Sequence, residues 1–355
     1  MPEVRRIATE EAFIIPEVAA ALGELLEGPM RSLDRAGISA FYGPGGSRML
    51  ERLVDLDDAR LADMDAHGVS MQVLSLTSPG VQLFDADRAT DLAALANDRL
   101  AEAVVRHRGR YGGLASFAPQ APRRAAQEMA RAVHALHLNG FIVNSHTNNE
   151  YLDDRKYWPV LEAAEGLNAC LYLHPRAPSE GLAAPLMDYG LQYGMWGYSV
   201  ETGTHALRLI ASGVLDRFPG LLVCLGHMGE GVPYLLSRID TVHQASQARG
   251  RSKRLELTPS EYFRRNFVIT TSGVESHPAL AYAIEVLGID RVLFAIDYPY
   301  QPTGPAVAFM DSAPVGQAER AQLYHGNAER VFHIGPEPGG TARPSGRRGT
   351  PGTTA

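Results

Sequence analysis

The chain has 355 residues, of which 45% are hydrophobic, and it carries 33 basic against 40 acidic side chains. This length allows a sizeable core, organised as one α/β barrel or as two domains. The mildly acidic balance, with no basic patch interleaved with aromatic residues, argues against nucleic-acid binding. No apolar run approaches the roughly 18 residues that a membrane span needs, so we expect no membrane segment. We also expect no secretory signal, because the polar first residues lead directly into a strand.

Short β-rich runs alternate with longer amphipathic stretches along the chain. The predicted strands are residues 6–9, 72–76, 111–117, 140–144, 170–174, 221–225, 268–271 and 292–296. The predicted helices between them are residues 57–67, 90–107, 123–138, 157–167, 204–212, 231–247 and 278–287. Eight strand–helix repeats predict a (β/α)8 TIM barrel. An open doubly wound sheet would alternate similarly, but its strand ends would be spread along an edge.

The predicted domain organisation is a single catalytic barrel, residues 1–334, followed by a tail, residues 335–355. The first connection, residues 14–56, is long and contains a Pro/Gly-rich piece, so we expect it to shape a pocket at the C-terminal face. The tail consists mainly of Gly, Pro, Thr, Arg and Ser. We expect it to be disordered and without a catalytic role.

The two cysteines bear on the cellular location. Cys170 and Cys224 both lie inside apolar, strand-like runs. We interpret them as reduced core residues of a cytoplasmic protein, because disulfides are rare in that compartment.

Four strand-like runs end in a potential ligand or catalytic residue, namely Glu10, His174, His227 and Asp297. In a barrel such ends converge on the C-terminal face. Glu10, His174 and Asp297 would supply two carboxylates and one imidazole, and three protein ligands leave open positions on a catalytic metal. An oxygen-rich set suits Mn²⁺ or Mg²⁺, with Zn²⁺ as an alternative.

Each of these residues alone is a weak signal. A single His after a strand is more often structural, and a single Asp is often a helix cap or a turn former. Glu230 beside His227 has two equally good interpretations. In the first, its carboxylate is stabilised by the positive N-terminal end of a following helix. In the second, it fixes one tautomer of His227 for proton transfer.

Six segments together resemble the non-oxidative decarboxylases of the amidohydrolase superfamily, which act on hydroxy-aromatic acids. This group comprises 5-carboxyvanillate, γ-resorcylate, 2,3-dihydroxybenzoate and salicylate decarboxylases, and the resemblance is strongest to the first. It extends from about residue 5 to residue 332. The segments are Arg6-Ile7-Ala8-Thr9-Glu10-Glu11-Ala12-Phe13, Leu76-Thr77-Ser78-Pro79-Gly80-Val81-Gln82, Asn144-Ser145-His146-Thr147, Glu201-Thr202-Gly203, Gly226-His227-Met228-Gly229-Glu230 and Asp297-Tyr298-Pro299-Tyr300-Gln301.

The resemblance implies a barrel with one divalent metal, often Mn²⁺ and sometimes Zn²⁺, held by Glu10, His174 and Asp297. Asp297 would also protonate the ring carbon that loses the carboxylate. His227 and Glu230 would form an acid/base pair beside the metal. The metal would chelate an ortho phenolate together with the carboxylate of the substrate.

Three further residues match substrate-side positions of the family. Arg48 corresponds to an arginine near the substrate, Tyr300 to an aromatic residue beside the bound ring, and Arg238 to an arginine that reaches the pocket of a neighbouring subunit. The last correspondence implies a homodimer or a homotetramer. The alternatives are that Arg48 only pins its glycine-rich loop and that Tyr300 only packs at the rim.

The chain departs from much of the superfamily at the first strand. Many members have His-x-His there, whereas this chain has Glu10 and Ala12. The 5-carboxyvanillate type shares Glu-x-Ala, so the departure favours that branch. Residues 176–198 match the family less well, which leaves the ring substituents of the substrate open.

Three functions remain in competition. The first is a carbon–carbon lyase that decarboxylates an ortho-hydroxy aromatic acid. The second is a metal-dependent hydrolase of a lactone or amide, against which the missing first-strand histidines argue. The third is a non-catalytic barrel, against which the intact ligand set argues. The other histidines are interpreted as structural, although His146, at the end of the fourth predicted strand, has a stronger claim to the active site than His205.

Overall fold

The computed structural model describes residues 4–28, 33–42 and 48–335. Its eight parallel strands form one sheet in chain order. The strands are β1 (Ile7–Phe13), β2 (Met71–Leu76), β3 (Tyr111–Ser116), β4 (Gly140–Asn144), β5 (Cys170–His174), β6 (Val223–Leu225), β7 (Phe267–Thr270) and β8 (Val292–Leu293). The predicted (β/α)8 barrel is therefore confirmed.

Helices connect successive strands and pack around the sheet. They are α1 (Pro16–Glu24), α2 (Asp34–Tyr42), α3 (Arg48–Val54), α4 (Asp58–Ala66), α5 (Ala86–Arg106), α6 (Pro122–His134), α7 (Trp158–Gly166), α8 (Glu180–Met187), α9 (Gly197–Ala211), α10 (Val214–Arg217), α11 (His227–Glu230), α12 (Leu236–Ala248), α13 (Pro259–Asn266), α14 (His277–Leu287), α15 (Thr303–Asp311), α16 (Gln317–Ala321) and α17 (Asn327–Val331). None of the described helices combines the length and apolar character needed to cross a membrane.

The barrel closes where β1 meets the chain around β8. The backbone N–H of Thr9 donates to the carbonyl of Phe294 at 3.2 Å, and the Thr9 hydroxyl donates to the same carbonyl at 2.9 Å. The β8 ladder ends at Leu293, whereas the predicted strand extended to residue 296. Beyond Leu293 the backbone N–H groups turn to other acceptors, so the ladder does not continue. Phe294 donates to the carbonyl of Leu323, Ala295 to the hydroxyl of Thr271, and Ile296 and Tyr298 to the side chain of Glu11.

The interior of the barrel is a separate apolar cluster to which every strand contributes. Cys170 and Tyr172 of β5 and Cys224 of β6 lie in it, together with Phe332 from the chain that follows α17. Both cysteines are buried and free, so their interpretation as reduced core residues is confirmed. The larger cluster lies between the sheet and the surrounding helices. The alternation follows from the two-residue period of the strands.

The long first connection contains α1, α2 and α3. The α2 helix lies at the C-terminal end of the barrel, in agreement with the expected pocket-shaping role. Most of the predicted Pro/Gly-rich piece lies outside the described residues, and so does the predicted tail from residue 336 onward.

Candidate active site and metal centre

Three ligand-type side chains from different parts of the barrel wall meet at its C-terminal end. Glu10 lies in β1, His174 is the last residue of β5, and Asp297 follows β8. One potential ligand atom from each residue lies within 4.8 Å of the other two. His174 Nε2 is 3.7 Å from Glu10 Oε1. The structure thus brings the three predicted ligands together around one point.

A bulge in β1 sets the direction of Glu10. Ala8 pairs with Gln72 and Glu11 pairs with Leu74, so three steps along β1 correspond to two along β2. Such bulges re-aim side chains near functional sites. The prediction that the first strand ends at residue 9 is therefore wrong, because Glu10 lies inside a longer, irregular strand.

The two oxygens of the Glu10 carboxylate have different surroundings. Oε2 accepts hydrogen bonds from the hydroxyls of Thr270, at 2.7 Å, and Ser272. Oε1 is buried and has no hydrogen-bond partner within the described part of the chain. Burial alone would raise the pKa of Glu10, but His227 and His174 outweigh it and lower the pKa. A buried, ionised oxygen without a donor is costly unless a cation faces it, so the site fits a divalent metal.

The imidazole of His174 is oriented for ligation. Its Nδ1 donates a hydrogen bond to the carbonyl of Pro175 at 2.8 Å, which places the proton on that nitrogen. Nε2 then carries a lone pair toward Glu10. A hydrogen bond of this kind fixes the tautomer of metal-binding histidines.

His227 and Glu230 form the expected pair beside the three ligands. Nδ1 of His227 is 2.9 Å from Glu230 Oε1, and Nε2 is 3.9 Å from both Glu10 Oε1 and Asp297 Oδ2. Burial opposes the charged imidazole, but the carboxylates of Glu230 and Glu10 outweigh it and raise the pKa of His227 well above its usual range. The Glu230 side chain fixes the ring, so the functional interpretation of this residue has geometric support.

The Asp297 side chain is largely buried, with 14% of it exposed, and lies close to other acids. Burial raises its pKa, the nearby Glu10 carboxylate raises it further, and His227 partly offsets the effect. The backbone of Asp297 has φ 73°, in the left-handed region that residues other than glycine rarely adopt. Such backbone strain clusters at functional sites.

Glu11 is a residue to which sequence reasoning assigned no role. Its two oxygens accept the backbone N–H groups of Ile296 and Tyr298, each at 3.0 Å. Burial raises its pKa to about 8, while the two amides and the nearby Arg60 favour the ionised form. The geometry therefore uses both oxygens of the Glu11 carboxyl group as hydrogen-bond acceptors. Two adjacent acidic residues in an apolar run could have indicated this role, because carboxyl groups are rarely buried without partners.

A cavity of about 290 Å³ opens above the three ligands. Its wall is largely aromatic and apolar, which is the usual lining of a site for a small organic molecule. The lining residues are Asp34, Gly37, Ile38, Thr77, Ser78, Pro79, His174, Pro175, Tyr193, Gly194, Tyr198, His227, Gly273, Asp297, Tyr300 and Gln301.

Comparison with known proteins identifies the family. A family model described as Amidohydrolase matches residues 34–334. The γ-resorcylate decarboxylase of Polaromonas sp. is 36% identical over 299 residues, covering 80% of this chain and 89% of that protein. The chain belongs to the amidohydrolase superfamily.

Solved structures narrow this to one branch of the amidohydrolases. The 5-carboxyvanillate decarboxylase of Sphingomonas paucimobilis is 49% identical, with a TM-score of 0.92, and the match covers 94% of this chain and 100% of that one. The 5-carboxyvanillate decarboxylase of Novosphingobium aromaticivorans, solved with manganese and 4-hydroxy-3-methoxy-5-nitrobenzoic acid, is 38% identical with a TM-score of 0.89, covering 93% and 96%. The predicted family of aromatic-acid decarboxylases and the predicted carboxy-lyase class are confirmed.

Of the three predicted substrate-side residues of this amidohydrolase, one lies in the cavity wall and two lie outside it. Tyr300 lines the cavity, and its hydroxyl is 2.7 Å from that of Thr77. Arg48 begins α3 with an exposed side chain and is not in the described cavity wall. Arg238 lies on α12, also exposed and also outside that wall. The roles of Arg48 and Arg238 stay predictions.

The poorly matching segment 176–198 contributes a second feature that the sequence did not reveal. Arg176 is buried and pairs with Asp34 of α2, which lines the cavity. Arg176 also donates to the carbonyl of His146 at 2.9 Å. The pair therefore ties the first connection to the loop after β5.

His146 and His205 have structural partners. His146 Nε2 lies 3.1 Å from the Ala177 carbonyl, and the residue is absent from the described cavity wall. His205 is buried in α9, and its Nε2 accepts the backbone N–H of Leu152 at 3.0 Å. Both side chains support loops around the site and lie outside its wall.

Proposed function

We propose that this amidohydrolase removes the carboxyl group of an ortho-hydroxybenzoate as CO₂, without an oxidant. The substrate is of the 5-carboxyvanillate, dihydroxybenzoate or salicylate type. One observation carries the proposal. The buried Glu10 Oε1, which no described donor reaches, lies with His174 Nε2 and Asp297 at the base of a cavity with aromatic walls.

Glu10, His174 and Asp297 would hold one divalent metal. Mn²⁺ is the first choice, in keeping with the manganese in the Novosphingobium relative, and Zn²⁺ or Mg²⁺ are alternatives. When bound, the metal supplies positive charge that neutralises and orients the carboxylate and the ortho oxygen of the substrate. The cavity above it holds the ring in one orientation, which lowers the entropic part of the barrier.

Asp297 is the proposed proton donor. Its carboxyl lies beside Glu10 and His174, with His227 Nε2 3.9 Å away, at the point where the proposed metal would bind. The proton passes to the ring carbon that bears the carboxylate. The bond between this carbon and the carboxylate then breaks, its electron pair restores the aromatic ring, and CO₂ leaves. His227, held by Glu230 through Nδ1, directs Nε2 toward the phenol oxygen or a water.

Tyr300 and Arg48 are proposed to contact the substrate. Tyr300 lines the cavity, so its ring is placed to pack beside the substrate ring. Arg48 would pair with a second anionic group on the ring, such as the second carboxylate of 5-carboxyvanillate. Its place at the start of α3, next in the connection to the cavity-lining α2, supports this assignment.

We propose a homodimer, or a homotetramer built from dimers, in which Arg238 reaches the neighbouring cavity. The exposed Tyr234 and Leu235 precede Arg238, and Tyr234 stacks on Tyr282 with ring centroids 4.6 Å apart. Exposed aromatic and apolar groups of this kind are typical of interfaces. Light scattering should give an oligomer, and a fully active monomer would contradict the proposal.

A cytoplasmic location is proposed because both cysteines are free.

A panel of hydroxybenzoates tests the function. Purified enzyme reconstituted with Mn²⁺ is mixed with 5-carboxyvanillate, 2,6-dihydroxybenzoate, 2,3-dihydroxybenzoate and salicylate, and loss of ultraviolet absorbance is followed with CO₂ release. We expect at least one acid to lose one CO₂ per molecule. A meta-hydroxybenzoate is the control, because it cannot present an oxygen ortho to the carboxylate. Cleavage of esters or lactones without CO₂ release from any acid would favour the hydrolase alternative.

A further inference from the structure

We propose that Glu11 is a positioning residue of the active site, whose buried carboxyl group accepts the backbone N–H groups of the residues before and after Asp297 and so fixes the direction of the Asp297 carboxyl. The role of Asp297 in the reaction rests on the proposed function. The hydrogen bonds that hold the chain at Asp297 do not depend on that function.

The contacts of Glu11 single out Asp297. One oxygen of Glu11 accepts the N–H of Ile296 and the other accepts the N–H of Tyr298, each at 3.0 Å. These are the residues immediately before and after Asp297. Glu11 is 0% exposed, so water does not compete for these bonds.

The backbone at Asp297 needs such support. Its φ of 73° is sparsely populated by residues with a Cβ, and such a conformation persists only where surrounding contacts determine it. A regular strand partner would offer backbone carbonyls to Ile296 and Tyr298 and would keep the chain extended. A side-chain carboxylate satisfies both N–H groups while the chain turns between them.

A second set of contacts holds the same segment from the side of Tyr298. The guanidinium carbons of Arg52 and Arg60 each lie 4.6 Å from the centroid of the Tyr298 ring. Arg60 is fully buried and donates to the carbonyl of Ala12, the residue after Glu11, at 2.7 Å.

The test compares Glu11→Gln with a matched variant of the same strand, Thr9→Val. Glutamine keeps the shape but turns an N–H₂ group toward one of the two amides, so one side of Asp297 loses its acceptor. Thr9→Val removes a buried hydrogen bond from β1 to the Phe294 carbonyl without touching the peptides that flank Asp297. Both variants should unfold at lower temperature than wild type.

Binding of Mn²⁺ to the metal-free proteins, measured well below the unfolding temperature, is the deciding readout. We expect Glu11→Gln to lose about 10–100-fold in Mn²⁺ affinity, as outer-shell partners of metal ligands do, with kcat lowered more than KM changes. Thr9→Val should match wild type in both. Equal Mn²⁺ affinity and kcat in the two variants would overturn the positioning role and leave the proposed function intact. Failure of wild type to decarboxylate any acid would instead remove the function, while the Mn²⁺ comparison would still test Glu11.

Glu11→Asp provides a milder perturbation in case Glu11→Gln does not fold. Aspartate keeps the carboxyl group but is one methylene shorter, so it does not span both N–H groups as Glu11 does at 3.0 Å. A smaller decrease in Mn²⁺ affinity, in the same direction, would support the proposal. Wild-type Mn²⁺ affinity and kcat in Glu11→Asp would overturn it.

Discussion

Asp297 has two proposed tasks, as a metal ligand and as a proton donor, and substitutions can separate them. Asp297→Asn still offers an oxygen to the metal but has no carboxylic proton. Because general acid catalysis contributes about 10²–10⁴-fold, decarboxylation should fall by at least that factor. The Mn²⁺ content of Asp297→Asn should fall less than that of Asp297→Ala, as measured by metal analysis.

His227→Asn is the matched control for this comparison. His227 bonds to Glu230 through Nδ1 and is not part of the cluster formed by Glu10, His174 and Asp297, so it is not assigned to the metal. Turnover should be slower while Mn²⁺ stays bound. Loss of the metal from His227→Asn would assign this histidine to the ligand set and contradict our division of roles.

His174→Ala tests the ligand set itself. The variant removes the single imidazole nitrogen of the three-residue cluster, so we expect Mn²⁺ to be lost on dialysis and activity with it. His67→Ala, a partly exposed histidine hydrogen-bonded to the carbonyl of Asp63, should keep its metal. Full Mn²⁺ occupancy in His174→Ala would exclude His174 as a ligand.

For single residues, the sequence predicts which side chains are candidate ligands but not the directions in which they point. Glu10, His174 and Asp297 were identified because each follows an apolar run, and the structure brings them together. Glu11 was overlooked because neither spacing nor residue type tells which of two adjacent acids faces the site. Only the bulge in β1 decides this, and a bulge depends on pairing with β2, which a single strand sequence does not contain.

At the element scale, the number and order of strands were predictable and several ends were not. The predicted strands 140–144 and 170–174 coincide with β4 and β5. The strand predicted at 292–296 leaves the ladder early, because the N–H groups of residues 294–296 bond to Leu323, Thr271 and Glu11 instead of to a neighbouring strand. Periodicity reports on burial, and residues 294–296 are buried whether or not they are in the ladder. Ladder ends are therefore set by tertiary contacts.

The α9 helix provides a pH-dependent prediction. His205 is buried in it, and burial, followed by the nearby His146 and Arg208, lowers the pKa of His205 to about 3. The unfolded chain binds a proton on this histidine below its ordinary pKa near 6.5, but the folded protein does not. This contribution to stability is therefore complete above pH 6.5 and is lost as the pH falls, at about 1.4 kcal/mol per pH unit down to the folded pKa.

Denaturant unfolding between pH 7.5 and pH 4.5 measures this effect. His205→Gln is the matched variant, because its amide oxygen can still accept the backbone N–H of Leu152 but does not titrate. The free energy of unfolding of wild type should fall more steeply with acidification than that of His205→Gln. Parallel curves for the two proteins would show that His205 does not titrate differently on folding.

At the scale of the whole molecule, eight strand–helix repeats were sufficient to predict the barrel. The arrangement of the first connection was not predictable, because it depends on contacts between distant segments. The pair between Asp34 of α2 and Arg176 after β5 joins residues that are 142 positions apart. Local sequence patterns carry no information on such a partner, which is why the walls of the cavity became known only from the structure.

Removal of residues 336–355 should leave activity and cooperative unfolding unchanged. This segment contains two alanines as its only hydrophobic residues, so it offers little apolar area to offset the entropy of ordering. Gly335 is kept in the truncated protein because its carbonyl accepts hydrogen bonds from Arg5 at 3.3 Å. Thermal unfolding and kcat/KM of the truncated and full-length proteins provide the comparison. A loss of either would give the segment a structural role.

The most direct test of non-oxidative decarboxylation is turnover in D₂O. The best aromatic acid of the panel is converted completely, CO₂ is counted, and the product ring is examined by NMR. We expect one CO₂ per substrate molecule and deuterium only at the carbon that carried the carboxylate, with turnover by Asp297→Asn at least about 10²-fold slower. If no ortho-hydroxy acid loses CO₂ while an ester or lactone is hydrolysed, the decarboxylase account is wrong and the hydrolase replaces it.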